Sequence, residues 1–148
     1  MVEAHVLIGN TNTRKSTLLR CLSGCFNRSV RDMETVQGQK FKLYARASAL
    51  QESRTTVAAF QEEVARSRCQ HVLFSLWPGP HPNDPEAWPD ALTYLAALRQ
   101  AGWAIRHAAV LGAQPLRPQA DAVLTLPSVL DQPINTSAAQ LRQHLGWK

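Results

Sequence analysis

A short apolar run at residues 4–8 (AHVLI) stops at Gly9, and residues 16–22 (STLLRCL) resume as a helix that closes on Gly24 as its C-terminal cap. The same punctuation recurs along the chain. Residues 41–47 (FKLYARA) alternate with period two, as a half-buried strand does. A partner strand is expected around Thr35, Val36 and Gln37, with a hairpin through Gly38. Residues 55–68 place Val57, Phe60 and Val64 on one face of an amphipathic helix, and residues 71–76 (HVLFSL) read as a buried strand. Residues 77–90 (WPGPHPNDPEAWPD) are too rich in proline to be anything but a loop. Beyond it Leu92, Leu95 and Leu98 carry a helix to Gly102, residues 105–111 and 122–126 are strands, and residues 137–146 form a last helix behind an Asn135-Thr136 cap. Strands separated by such helices are joined by right-handed crossovers. The expected fold is therefore α/β in three layers, a mainly parallel sheet of five to six strands with helices on both faces. With 148 residues it should form one domain.

The first strand and first helix are joined by Gly9, Asn10, Thr11, Asn12, Thr13, Arg14, Lys15, Ser16 and Thr17. Phosphate chemistry explains that order. A loop in this position points successive backbone N–H groups inward, and the helix N-terminus adds partial positive charge. Lys15, expected to be exposed in the empty loop, would reach the β- and γ-phosphates of a nucleotide, and the Ser16 hydroxyl would ligate Mg²⁺. Arg14 occupies the second glycine of the P-loop pattern GxxxxGK followed by Ser or Thr, so the strict motif is broken there. If that position needs a positive φ, an arginine strains the backbone by about 1–2 kcal/mol.

Residues 9–24, GNTNTRKSTLLRCLSG, resemble the first motif of the Era-like GTPases and of the G domain of ferrous-iron transporters: Gly9, Asn12, Lys15, Ser16, Thr17, Leu18, Leu22 and Gly24 match in place. Thr35-Val36, then Gly38-Gln39-Lys40-Phe41 and a strand, are similar to the switch I threonine and the hairpin after it. The resemblance implies a P-loop NTPase fold, GTP or ATP with Mg²⁺ as ligands, and Thr35 as a second metal ligand beside Ser16. The order of elements is loosely similar to the small GTPase of ethanolamine-utilisation operons.

Two of those families' signals are missing. Where an aspartate of the DxxG motif should end the strand after switch I, this chain has Ala45-Arg46-Ala47-Ser48-Ala49-Leu50-Gln51-Glu52. Where the base-reading NKxD should follow a later strand, it has Gly112-Ala113-Gln114-Pro115. Guanine and adenine are not distinguished, and hydrolysis lacks its metal anchor. Gln51 is the candidate for orienting a water, with Glu52 beside it. Arg46, near the site of the absent aspartate, is a candidate fixed charge toward phosphate, against the plainer reading of an exposed arginine. The expectation is a degenerate nucleotide- or phosphate-binding module with a regulatory or scaffolding role. The alternatives are an active GTPase or ATPase with a nonstandard metal site, and an interaction domain that binds no nucleotide.

Composition narrows the remaining classes. The apolar share of 45% and charged share of 18% are those of a globular protein, and no apolar run approaches the roughly 18–20 residues of a membrane span. No basic region followed by an apolar core begins the sequence, so the expected compartment is the cytoplasm. The net charge of +5 sits in the first half, where 11 of the 16 basic residues lie up to Arg68, yet no basic block or aromatic-interleaved motif points to nucleic acid. Cys21 and Cys25, four apart on an expected helix, read as buried thiols, and the five histidines show no ligand spacing. The 77–90 loop, with Trp77, Trp88 and its prolines, is either a surface for a protein partner or a rigid connector.

Overall fold

The computed structural model describes residues 1–11, 13–24 and 27–148. Its elements are β1 (Glu3–Ile8), α1 (Lys15–Ser23), β2 (Arg28–Glu34), β3 (Lys40–Ala49), α2 (Val57–Ser67), β4 (His71–Leu76), α3 (Ala91–Gln100), β5 (Ala104–Leu111), β6 (Ala122–Leu126) and α4 (Ile134–Leu145). Six strands make one sheet in the order β2-β3-β4-β1-β5-β6. Only the β2–β3 pair is antiparallel. The α/β architecture expected from the alternation of apolar runs is thus present, in six strands and four helices among the described residues.

The helices cover both faces. Leu18, Leu19 and Leu22 of α1 and Ala138, Leu141 and Leu145 of α4 pack with Leu7, Leu73 and Ala109 on one side. Phe60 and Val64 of α2 and Tyr94, Leu95 and Leu98 of α3 pack with Val6, Phe74 and Ala108 on the other. Because both faces are covered, β1 and β4 read as continuous apolar runs rather than alternating ones. Each large apolar side chain so buried contributes about 1.5–3 kcal/mol.

Two expectations on element bounds are corrected. The partner strand of the hairpin is β2, which ends at Glu34; Thr35, Val36 and Gln37 form the turn instead, closed by Gly38 N–H to Thr35 O at 2.9 Å, with Gly38 at φ 89°. The sequence hides β2 because it is an edge strand, largely exposed and charged on both faces, which also discourages pairing with another chain. The last helix starts three residues early, at Ile134 behind Pro133, so Asn135 and Thr136 lie inside it rather than capping it.

Two register shifts shape the opposite ends of the sheet. Between β3 and β4, Ala45 pairs with Leu73 but Ala49 with Ser75, so β3 bulges at residues 46–48. Between β1 and β5, Ala4 pairs with Ile105 but His5 with His107, which turns Arg106 aside and puts two histidines opposite each other.

Candidate functional site

Residues 9–14 leave the carboxyl end of β1, beside the ends of β4 and β5, where ligands of open α/β sheets gather. Gly9 N–H donates to Leu76 O at 3.1 Å, and a Cβ on Gly9 would collide with Thr13 Oγ1 and crowd Leu111. Close approach, rather than an unusual φ, requires glycine here. One carbonyl then organises the loop. Asn10 O accepts Thr13 N–H at 3.1 Å, Thr13 Oγ–H at 2.6 Å and Lys15 Nζ–H at 2.7 Å. Asn10, Thr11 and Thr17 are exposed, Ser16 is half-buried, and Asn12 lies outside the described residues.

Lys15, expected to be exposed, is only 5% exposed. Its ammonium folds back onto the loop, because an amine at this depth needs an acceptor and the Asn10 carbonyl is the one within reach. Desolvation pushes its pKa down to about 8, and the charge of Glu52 acts against that shift. Arg14 meets the condition under which strain was expected: φ 63°, ψ 26°, at the N-cap of α1, with no side-chain capping bond. The guanidinium is exposed.

The residues expected to share a metal are not together. Ser16 Oγ donates to Ala47 O at 3.3 Å, at the carboxyl end of the sheet. Thr35 belongs to the β2–β3 turn at the other end, bridged to Trp147, with its Oγ1 accepting Gln39 N–H at 3.1 Å. The sequence places a threonine after the first helix without saying which end of the sheet it reaches, and here β2 runs the length of the sheet before Thr35 arrives. Ser75 Oγ also donates to Ala47 O, at 3.2 Å, so the β3 bulge presents a carbonyl that holds two hydroxyls. The strands β3, β4 and β5 end in Ala49, Leu76 and Leu111. Among the described residues no three His, Cys, Asp or Glu side chains are grouped to hold a metal ion.

Gln51 is fully buried. Its Nε2 donates to Trp77 O and Pro89 O at 3.0 Å each and, at greater length, to Gly79 O, while Oε1 accepts Trp77 N–H at 2.9 Å. In this arrangement the amide ties both ends of the 77–90 loop to β3, in place of the water-orienting role expected for it. The exposed neighbour Glu52 is the carboxylate whose charge reaches Lys15. Arg46, read as an exposed arginine or a phosphate ligand, is neither: it is 4% exposed and turned toward α2, bonding Glu63 at 3.3 Å, Ser53 Oγ at 2.5 Å and Thr55 Oγ1 at 2.6 Å.

A cleft of about 280 Å³ opens between Asn10 and Thr11 on one side and Trp77, Gly79 and Pro80 on the other. The loop's aromatic rings stack inward, His81 lying 5.6 Å from Trp77 and 5.2 Å from Trp88. A larger concavity of about 680 Å³ runs along the β2–β3 hairpin, away from the loop, and carries the exposed Lys42–Asp32 pair. Gly112, at φ 87° and within 3.4 Å of Thr13 Cγ2 for an added Cβ, completes the floor beneath Thr13.

Comparisons of the chain with protein-family models, curated proteins and solved structures return no match. No helix among the described residues is long and apolar enough to cross a membrane.

Proposed function

We propose that this chain is a P-loop-type domain that binds a phosphate group, as orthophosphate or on a nucleotide, at Gly9, Asn10, Asn12, Thr13, Arg14, Lys15, Ser16 and Thr17, and that serves a regulatory or scaffolding role rather than rapid turnover. The single observation that carries the reading is the convergence of Thr13 and the Lys15 ammonium on the Asn10 carbonyl, directly before the N-terminus of α1. A phosphate oxygen offers the same donors a better partner, because its bonds to an ammonium are charge-assisted. The N–H groups of the first helical turn, directed at the loop, add to the attraction.

Mg²⁺ fits this site poorly. Ser16 offers a single oxygen, already bonded to Ala47 O, and no carboxylate stands at the adjoining strand ends. Nor do the residues near the loop discriminate between GTP and ATP. Gln51 is committed to the backbone of the 77–90 loop, which supports weak or absent hydrolysis.

Thermal unfolding with orthophosphate, GTP, ATP and the diphosphates, each with and without Mg²⁺, tests the reading. A ligand at a hundredfold its Kd adds about 2.7 kcal/mol. No shift with any of them at millimolar concentration would overturn it. A second reading, a protein partner docking on the 77–90 loop, is favoured by the Gln51 clamp, which holds a rigid, proline-rich exposed edge in place.

A further inference from the structure

At the amino end of the sheet, opposite the loop, four of the five histidines meet. His5 of β1 is 3% exposed and stacks between His71 of β4 and His107 of β5, with ring centroids at 5.7 and 5.0 Å. His144, in the last turn of α4, meets His107 edge-on at 5.2 Å, and its buried Nε2 has no hydrogen-bond partner. The bulge at Arg106 makes this possible by bringing His107 into register with His5.

With neutral rings, the contacts fix one arrangement of protons. Glu3 Oε1 accepts from Arg106 Nε at 2.8 Å, and Glu3 Oε2 lies 3.2 Å from His71 Nε2, which therefore donates. His71 Nδ1 is left to accept from His5 Nε2–H at 3.5 Å, and His5 Nδ1 to accept from His107 Nδ1–H at 2.9 Å. The free lone pair of the chain is then His107 Nε2. His5 turns opposite nitrogens to its two neighbours, so the lone pairs do not converge on one point as a metal site requires. An added proton on His5 would set its Nδ1–H against that of His107. Charge therefore enters at the outer end, on His107, next to His144.

Over the stack lies a strap, residues 146–148. Trp147 is 4% exposed, packs edge to face with His5 at 5.2 Å and tilts on Phe41 at 5.6 Å. The strap is held by Val36 N–H to Gly146 O, Lys148 N–H to Glu34 O and Trp147 N–H to Arg142 O, each 3.0 Å, and by a Lys148–Glu34 ion pair at 3.3 Å. Beneath it is a cavity of about 550 Å³ lined by His5, His71, His107, Phe41, Thr35 and Trp147.

We propose that the histidine stack is an acid-sensitive latch: protonation of His107 and His144 forces the last turn of α4 and the Trp147 strap off the sheet while the sheet itself stays folded, opening the cavity. Two cations on rings 5.2 Å apart repel in a poorly hydrated site. Burial holds both His107 and His144 below the ordinary histidine value, so the latch stays shut at neutral pH and opens on acidification. The surrounding charges set the threshold. Arg106 opposes a proton on His107, while Asp121 and Glu3 favour it. The carbonyl end of α4 favours one on His144. Lys40 at the cavity rim and Lys148 on the strap add positive charge that resists closure once the rings are charged, and Glu34 offsets it.

The test is amide hydrogen exchange by NMR on the full chain between pH 7.5 and 5.0, corrected for intrinsic rates. The latch predicts that Val36, Trp147 and Lys148 lose protection at least tenfold more than the amides of β1 and β4, and that His107→Gln combined with His144→Leu reduces that excess to under twofold. His144→Leu alone, a change on a half-buried helical position, should shift the opening to lower pH. Equal loss in strap and core of the parent, or an unchanged strap response in either variant, would overturn the proposal.

Discussion

The Lys15 ammonium lies 2.7 Å from the Asn10 carbonyl oxygen, so the cation that should meet a phosphate instead closes the loop upon itself. A ligand must exchange this contact for its own. Lys15→Ala is expected to weaken phosphate or nucleotide binding by about 1.5–3 kcal/mol, roughly ten- to over a hundredfold, with Tm unchanged or raised because a buried cation is removed. Calorimetry on parent and variant reads both; equal affinity would move the ligand elsewhere.

The same lysine makes a pH prediction. With its folded value at about 8 against 10.5 for an exposed lysine, the unfolded chain holds the proton more firmly. Stability should therefore rise as pH increases from about 8 toward 10.5, the reverse of the usual alkaline decline. Phosphate affinity should fall over the same range, by up to about tenfold per pH unit, as the free amine loses its charge. Urea melts and calorimetry at pH 7, 8 and 9 provide the check, and a flat affinity profile would exclude Lys15 as the ligand.

Arg14 at φ 63° occupies a conformation that glycine adopts without cost. Arg14→Gly should stabilise the chain by about 1 kcal/mol and tighten phosphate binding several-fold, because the loop no longer resists the helix start. Phosphate release should stay negligible, since no carboxylate is restored. Weaker binding in the variant would make the guanidinium itself a ligand.

Removing Gln51 leaves Trp77 N–H and two close carbonyls, those of Trp77 and Pro89, buried without their partner. Gln51→Leu is expected to cost about 1–3 kcal/mol and to raise quenching of Trp77 and Trp88 by acrylamide, while any residual phosphate release keeps its rate. A large fall in phosphate release at unchanged stability would return Gln51 to a catalytic role.

His5, pushed down to about 3 by burial and by its histidine neighbours, stays neutral where the unfolded chain is protonated. A histidine with a depressed folded value contributes stability above its ordinary 6.5 that is lost as pH falls. Between pH 6.5 and 5 this amounts to about 2 kcal/mol from His5 alone. Denaturant midpoints across that range should fall steeply in the parent and less so in His5→Phe.

The strands that became legible did so because they are buried on both faces or alternate cleanly; residues 71–76 became β4 without adjustment. β2 escaped notice because an exposed edge carries charge where a core strand carries valine. The loop's position between β1 and α1 was legible, since it follows from the strand-loop-helix order, but the inward fold of Lys15 was not, because it depends on the Asn10 carbonyl. Which end of the sheet Thr35 reaches depends on chain direction, and which way Arg46 and Gln51 point depends on a bulge and a distant loop. The histidine stack was the least legible. His5, His71 and His107 lie on three separate strands, and they meet only through strand order and the one-residue slip at Arg106.

That strand order also governs when the chain can assemble. β1 pairs with β4 and β5 and not with β3, so the residues that make its first ladder, His71–Leu76, are synthesised long after it, and those of its second ladder later still. A nascent chain that has reached only the β2–β3 hairpin holds β1 as an orphan, its apolar side chains available to chaperones or to other copies. High sequence separation between partners slows folding. For a chain built in this order, the ribosome's pace between residues 50 and 76 decides how long that exposure lasts.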